Sequence, residues 1–245
     1  MNELLVVDLG TVPYAAALEL QRDVARRRII GDIGQDVLLL VEHPPVVTLG
    51  RTAKGANLIA SPAYLASRGV ELFDVERGGD ITFHGPGQLV GYPIIDLKRH
   101  RKDLHWYLRQ VEESLIQAIA EFGLNGERVD KYTGVWVDTD RPNRRKLASI
   151  GVHARDWVTW HGFALNINTD LHYFDLIVPC GISGVTMTSV ARELHVGSVD
   201  MRTAAGSVSR AFGRVFDLAP RWTDIAELSA ADTTAAADNG SLSTH

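Results

Sequence analysis

Apolar and polar positions fall into short blocks of two kinds, and each kind predicts an element. Leu4 to Leu9 is a compact apolar run that reads as a first strand. Thr11 and Pro13 then open a helix to about Arg28, with Tyr14, Leu18 and Val24 on its apolar face. The stretch "DVLLLVEHPPVVTLG" is largely apolar and broken by Pro44 and Pro45, which predicts two short strands either side of a fixed bend. Ser61 and Pro62 start a short helix, and from Glu71 to Leu97 the pieces "ELFDV", "ITFH" and "LVGYPIIDL" alternate with glycine-rich turns. The strongest helical period runs from Asp103 to Phe122. It places Leu104, Leu108, Val111, Leu115, Ile119 and Phe122 on one face, with Gly123 as C-cap.

Beyond this helix "GVWVD", "SIGVHARDWV" and "GFALNINTDL" are strand-like, with a loop rich in Pro, Asn and Arg from Thr139 to Arg145 between the first two. Ser198 can cap a last helix carrying Ala204, Val208, Phe212 and Val215 on one face. Short polar turns between these strands predict antiparallel pairing. The expected fold class is therefore α/β (α+β): one domain with a mixed, largely antiparallel sheet flanked by helices. Large apolar residues almost vanish from Leu228 onward, so the expected boundaries are a domain over 1–227 and a disordered tail over 228–245.

Composition narrows the class. The 245 residues, 45% apolar and 22% charged, describe an ordinary globular chain with room for a sizeable core. No stretch approaches the ~18 uninterrupted apolar residues of a membrane span, and "MNELLVVDLG" lacks the basic start of a signal peptide. A single cysteine excludes an intramolecular disulfide framework, which with the preceding points predicts a cytoplasmic protein. The net charge of −5 argues against a general nucleic-acid binder. Basic residues nevertheless cluster at Arg26 to Arg28, at "KRHRK" from Lys98 to Lys102, and at Arg141 with Arg144, Arg145 and Lys146. Each cluster is either a solvated face or a dock for an acidic partner.

Two places carry candidate chemistry. "RGGDITFHGPGQLVGYP" puts five glycines within residues 77 to 91, so either tight hairpin turns or close approach of a ligand to bare backbone is required. The order matches no phosphate loop. Free amides near Gly78 and Gly79 would suit a carbonyl or carboxylate oxygen. The second place is Cys180 in "IVPCGISG". Pro179 and Gly181 set the thiol on a stiff bend, which suits a nucleophile, although a lone cysteine also serves as a small buried hydrophobe. A nucleophile needs its thiolate, and a free thiol titrates near ~8.5, so a cation or base must stand close by. Lys146, His84 and His153 are the candidates. Lys146 lies where a loop becomes an apolar strand and must snorkel outward or find a partner. Zinc on Cys180, His84 and His153 is allowed by residue type, but no C-x-x-C or H-x-x-x-H spacing supports it, so no metal is expected.

Taken together, "EHPPVVTLGR", "RGGDITFHGPGQLVGYPIIDL", "KLASIGVHARDWVTWHGFALNIN" and "IVPCGI" resemble the lipoyl(octanoyl) transferases, with motifs in matching order from about residue 2 to residue 217. The resemblance implies the fold of the biotin and lipoate protein ligase catalytic domains. It also implies an acyltransferase of lipoate biosynthesis that uses no cofactor and no ATP. The implied donor is octanoyl-acyl carrier protein. The implied acceptors are lysines on the lipoyl domains of 2-oxoacid dehydrogenase complexes and on the glycine cleavage H protein. By position, Cys180 matches the acyl-thioester nucleophile and Lys146 the lysine that lowers its pKa. Arg77, Gly78, Gly79, Asp80, Ile81, Thr82, Phe83 and His84, then Ser149, Ile150 and Gly151, then Gly162, Phe163 and Ala164, match the segments that line the acyl substrate. Phe83 stands where the family often has tyrosine, so one hydroxyl contact is absent. The basic segments "KRHRK" and "RPNRRK" are the expected docking sites for acidic partner proteins. The rivals are an ATP-dependent lipoate or biotin ligase, a non-catalytic module that binds acylated carrier protein, and a cysteine hydrolase. The ligases typically carry a longer "R-x-S-G-G-G" loop where this chain has "RGGD".

Overall fold

A computed structural model describes residues 2–140, 144–179 and 185–230. In chain order the strands are β1 (Asn2–Thr11), β2 (Asp36–Glu42), β3 (Val46–Leu49), β4 (Glu71–Asp74), β5 (Ile81–His84), β6 (Gln88–Ile94), β7 (Glu127–Val129), β8 (Tyr132–Val137), β9 (Arg145–Arg155), β10 (Val158–Asn166), β11 (Thr186–Met187) and β12 (Leu218–Thr223). The helices are α1 (Tyr14–Ile30), α2 (Pro62–Ser67), α3 (Leu104–Ala120), α4 (Val190–Leu194), α5 (Met201–Phe216) and α6 (Ile225–Ala230). The main sheet runs β12-β1-β2-β6-β10-β9-β8-β7, with β11 added beside β9; β4-β3-β5 forms a second, smaller sheet. Pairing is parallel for β1 with β2 and with β12, and antiparallel from β2 through β7, so the sheet is mixed as expected.

The continuous apolar run of β2 has a direct cause, because both faces of the sheet are covered. Leu38 and Leu40 face a core shared with Val111, Leu115 and Ile119 of α3 and Val208 and Phe212 of α5. Val37, Leu39 and Val41 face the opposite core, with Ala17 and Val24 of α1. The bend at Pro44 and Pro45 does more than separate two strands: it moves the chain from the main sheet into the small one. There β3 pairs with β5, and Val47, Ile81 and Phe83 share a third cluster with Phe174 and Ile177.

Several boundaries differ from expectation. Helix α3 is capped by Asp103, whose carboxylate accepts from the Trp106 amide at 3.0 Å, but its C-cap is Glu121, with the left-handed Gly123 two residues later. The stretch "SIGVHARDWV" is not one strand, because Asp156 and Trp157 both adopt positive φ and turn the chain tightly from β9 into β10. Helix α5 is capped by Asp200, not Ser198, through a 2.9 Å hydrogen bond from the Thr203 amide. Strand β12 and helix α6 had no periodic signature of their own, yet Leu228 of α6 is buried in the α1-side core. Ordered structure thus continues to Ala230, past the expected boundary at 227. The predicted disorder of 231–245 lies outside the described residues. No described helix is long and apolar enough to cross a membrane.

Candidate active site

A cavity of about 540 Å³ opens between the main sheet and the glycine-rich segment. All the predicted lining residues border it except Phe83: Arg77 to Thr82 and His84 on one side, Ser149 to Gly151 from β9, and Gly162 to Ala164 from β10. Its packing partners explain the exception. Phe83 points to the other side of β5, stacks on Tyr173 with ring centroids 4.6 Å apart and meets Phe174 edge-on. The hydroxyl expected from comparison with tyrosine would therefore not project into this space.

The glycines do two different things. Gly78 donates its amide to Val152 O at 2.8 Å, so that amide is consumed in holding the loop and is not free for a substrate oxygen. A Cβ on Gly151 would come within 2.7 Å of Gly78 O, so glycine is required there for contact between two backbones. Arg77 is likewise structural: it is only 7% exposed, and it donates to Thr48 O at 2.8 Å, to Thr48 Oγ1 and to Gly78 O. Asp80 receives the Asn57 amide at 2.7 Å and its neighbour's backbone N–H, that of Ile81, at 2.8 Å.

Lys146, the candidate cation, is 1% exposed and borders the same cavity. It enters beside β8, and its ammonium nitrogen lies 5.2 Å from the Trp136 ring centroid. Strand β10 stops pairing with β9 at Leu165 and Ala148; β11 pairs with β9 beyond that point, setting Met187 opposite Lys146 and Thr186 opposite Arg145. Thr188 then donates to Lys146 O at 2.9 Å.

Cys180 itself lies outside the described residues. Both flanks are tied down. Upstream, Val178 donates to Asn57 O at 2.7 Å, Ile177 pairs with Leu58, and Leu176 O accepts from Ile59 and Ala60. Downstream, the chain re-enters at Val185 directly into β11.

The sequence reading did not find the rest of the lining. Tyr14, Tyr92 and His161 add buried polar groups, and Leu104 and Leu108 come from the first turns of α3. Those two leucines sat on the expected apolar face, but they border the cavity while Tyr107, Val111 and Leu115 fill the core beneath. His161 adopts positive φ, and nothing in the sequence signals it. His43 links the polar wall together, with Nδ1 donating to Val12 O and Nε2 accepting from the Tyr92 hydroxyl, both at 2.7 Å. Burial holds His43 down at about 4 and His84 at about 3, so both rings are neutral, and burial pushes Tyr14 up to about 12. Contact with His161, whose Nε2 is 3.6 Å away, together with hydrogen bonds from Arg22 and Trp160, holds the Glu76 carboxyl far below the usual range. Among the described residues no group of His, Cys, Asp and Glu is arranged to hold a metal ion.

The basic clusters are less available than their sequence suggests. Arg28 is buried between Asp36 at 3.1 Å and Asp96 at 3.7 Å. Within "KRHRK", Lys98 meets Asp96, Arg99 donates to Gly34 O, His100 meets Asp36, and Arg101 meets Asp103. Arg145 is bound by Asp138 and Glu193.

Comparison with known proteins agrees with this geometry. The family model of the lipoyl protein ligase A/B catalytic domain matches residues 13–213. An octanoyltransferase of Myxococcus xanthus is 48% identical over 218 residues, 89% of this chain but only 60% of that protein. Those of Acidobacterium capsulatum and Rubrobacter xylanophilus are 48% and 56% identical, over 90% and 76% of this chain and 93% and 81% of theirs. Among solved structures, a bi-partite lipoate protein ligase of Thermoplasma acidophilum superposes with a TM-score of 0.71 at 18% identity, covering 94% of this chain and 90% of the other. A lipoate-protein ligase A bound with ATP gives 0.66 at 17% identity, covering 94% and 92%. At such identities these two show a shared fold, as the sequence resemblance implied. The chain belongs to the lipoyl protein ligase A/B catalytic-domain family, among the octanoyltransferases, and is an acyltransferase.

Proposed function

We propose that this protein moves an octanoyl group from octanoyl-acyl carrier protein, through a thioester on Cys180, to the ε-amine of a lysine on a lipoyl domain or the glycine cleavage H protein. The observation that carries this reading is the pairing of Met187 with Lys146. It ties the downstream flank of the Cys180 segment to the strand that holds the one lysine bordering the cavity from within the sheet.

The sequence of events needs no cofactor. The Cys180 thiolate, stabilised by the Lys146 ammonium, attacks the donor thioester carbonyl. The new S–C bond forms, the S–C bond to the carrier breaks, and the departing thiolate takes a proton from Lys146. Lys146 is now a neutral amine. In the second half, the neutral amine of the acceptor lysine attacks the acyl-enzyme, the S–C bond to Cys180 breaks, and Lys146 recovers its proton from the new amide nitrogen. The resting ion pair is restored. Because Gly78 N–H is taken, the oxyanion candidates narrow to the amides of Gly79 and Gly151. The apolar wall of Ile81, Val90, Leu108 and Phe163 suits an alkyl chain, and the volume lies in the range of small-ligand pockets.

Intact mass after incubation with octanoyl-acyl carrier protein alone tests the reading. The expected result is an octanoyl adduct at Cys180, labile to thiols, that passes to a lipoyl domain without ATP. Absence of the adduct under turnover conditions overturns it. A requirement for ATP would indicate a ligase, and free octanoate as the only product a hydrolase.

A further inference from the structure

We infer that Trp136 is a positioning residue that seats Lys146 and favours its ammonium form. The inference rests on the proposed role of Lys146. It begins with a buried indole that has no polar reason to be one. Trp136 is 1% exposed, and its Nε1–H finds no acceptor among the described residues. Burying a donor without a partner is unfavourable, a cost that a phenylalanine of similar shape would avoid. Something else must favour the larger ring system. The Lys146 Nζ lies 5.2 Å from the Trp136 ring centroid, inside the range in which an indole face attracts a cation, and tryptophan is the strongest side chain for that contact.

The neighbouring strand is shaped for the same seat. Gly134 has φ 133°, and a Cβ there would lie 2.8 Å from Lys146 Cε and 3.4 Å from its Nζ. The aliphatic stem of Lys146 therefore runs across a bare backbone to reach the indole. Gly134 is itself fixed by the buried Glu112 of α3, which accepts its amide at 3.0 Å. A ladder irregularity between Val135 and Trp136 brings Trp136 opposite Lys146. Other charges act on the same group. The Arg144 guanidinium lies 5.7 Å from the same ring, and Arg77, Asp80, His84 and Lys131 border the cavity that Lys146 shares. The indole face gives the ammonium a partner on this side and holds the cation where the thiolate needs it.

The chain has few lysines (Lys54, Lys98, Lys102, Lys131 and Lys146), so carbon-13 labelling at lysine Cε resolves them by NMR, with K146R assigning the resonance of interest. In the unmodified protein the Lys146 ε-protons should lie upfield of the other four, from the indole ring current; their absence from that region overturns the proposal. In W136L the Lys146 titration midpoint should fall by about 0.5–1 pH unit, and in W136F by less. An unchanged midpoint in folded W136L also overturns it. If W136L fails to fold, the ring-current measurement still decides. The single cysteine allows a separate check, since the pH dependence of alkylation reads Cys180 alone. Its midpoint should rise in W136L. If Lys146 shifts while the thiol does not, the seat stands and the thiolate pairing proposed above fails.

Discussion

Asn57 and Asp80 form a clasp beside Val178: the Asn57 amide donates to the Asp80 carboxylate at 2.7 Å, while Asn57 O accepts from Val178, two residues before Cys180 in the sequence. One carboxylate thereby connects the glycine-rich wall of the cavity to the approach of the proposed nucleophile. A hydrogen bond to a charged group contributes about 1.5–3 kcal/mol. N57A should slow formation of the Cys180 acyl-enzyme about tenfold or more and lower the midpoint of thermal unfolding by several degrees. Single-turnover kinetics measures it, and an unaltered rate would show that the clasp does not order the segment.

Gly151→Ala sets a methyl group within 2.7 Å of Gly78 O, at a contact where both sides are backbone. Neither can yield without moving the glycine turn. Forcing atoms into such a packed contact costs about 1–3 kcal/mol. The variant should lose activity through a raised KM for the acyl donor, because the displaced turn is itself a cavity wall. Denaturant unfolding and steady-state kinetics measured together separate the two effects.

His43 and His84 make stability depend on pH. Each is held below its unfolded value of 6.5, at about 4 and about 3, by burial. Between these values the unfolded chain binds more protons than the native one, so stability falls as pH drops from ~6.5 toward ~4. Glu76 contributes in the opposite sense of charge but the same direction of pH. Its carboxyl is depressed, so its contribution is present above the unfolded value of 4.5 and is lost below it. Unfolding free energy measured across this range should slope upward with pH. H84Q should flatten the slope above pH ~4.5, where Glu76 does not act; a slope identical to that of the unmodified protein would refute the assignment.

Arg28 and Lys102 belong to two of the basic clusters but should behave oppositely. Arg28 is buried with two aspartates, and breaking such an arrangement from one side costs about 3–5 kcal/mol. R28A should destabilise the protein without a specific change in partner affinity. Lys102 is exposed, and K102E should leave stability within ~0.5 kcal/mol while weakening encounter with an acidic partner, most strongly at low salt. Calorimetry and the salt dependence of kcat/KM distinguish the two.

These contrasts show what was legible in the sequence. The bend at Pro44 and Pro45 and the α3 period were readable because local chemistry dictates each of them, whereas the segments around Gly78, Ser149 and Gly162 were placed on the substrate only through the family resemblance. What an apolar face meets was not legible. Leu104 and Leu115 repeat on one helical stripe, yet one borders a cavity and the other is wholly enclosed. Charge runs misled for a related reason, since Arg28 is neutralised by Asp36 at the start of β2 and by Asp96 just past β6, which only the fold brings to one place. Tyr14, Tyr92 and His161 had no motif to announce them, because only the packing of α1 on the sheet brings them to one wall.

Strand β12 lies parallel to β1, with Asn2 opposite Leu218 and Val7 opposite Thr223. A strand near one end of the sequence thus completes its hydrogen bonding with one near the other. During synthesis β1 emerges early and gains β2 soon after, but its second edge stays open until about two hundred further residues have followed. An open, apolar strand edge is the element most prone to pair with the wrong chain. Pairing of β12 therefore seals an edge that would otherwise stay adhesive, and truncation before Leu218 should appear first as aggregation and only second as lost activity.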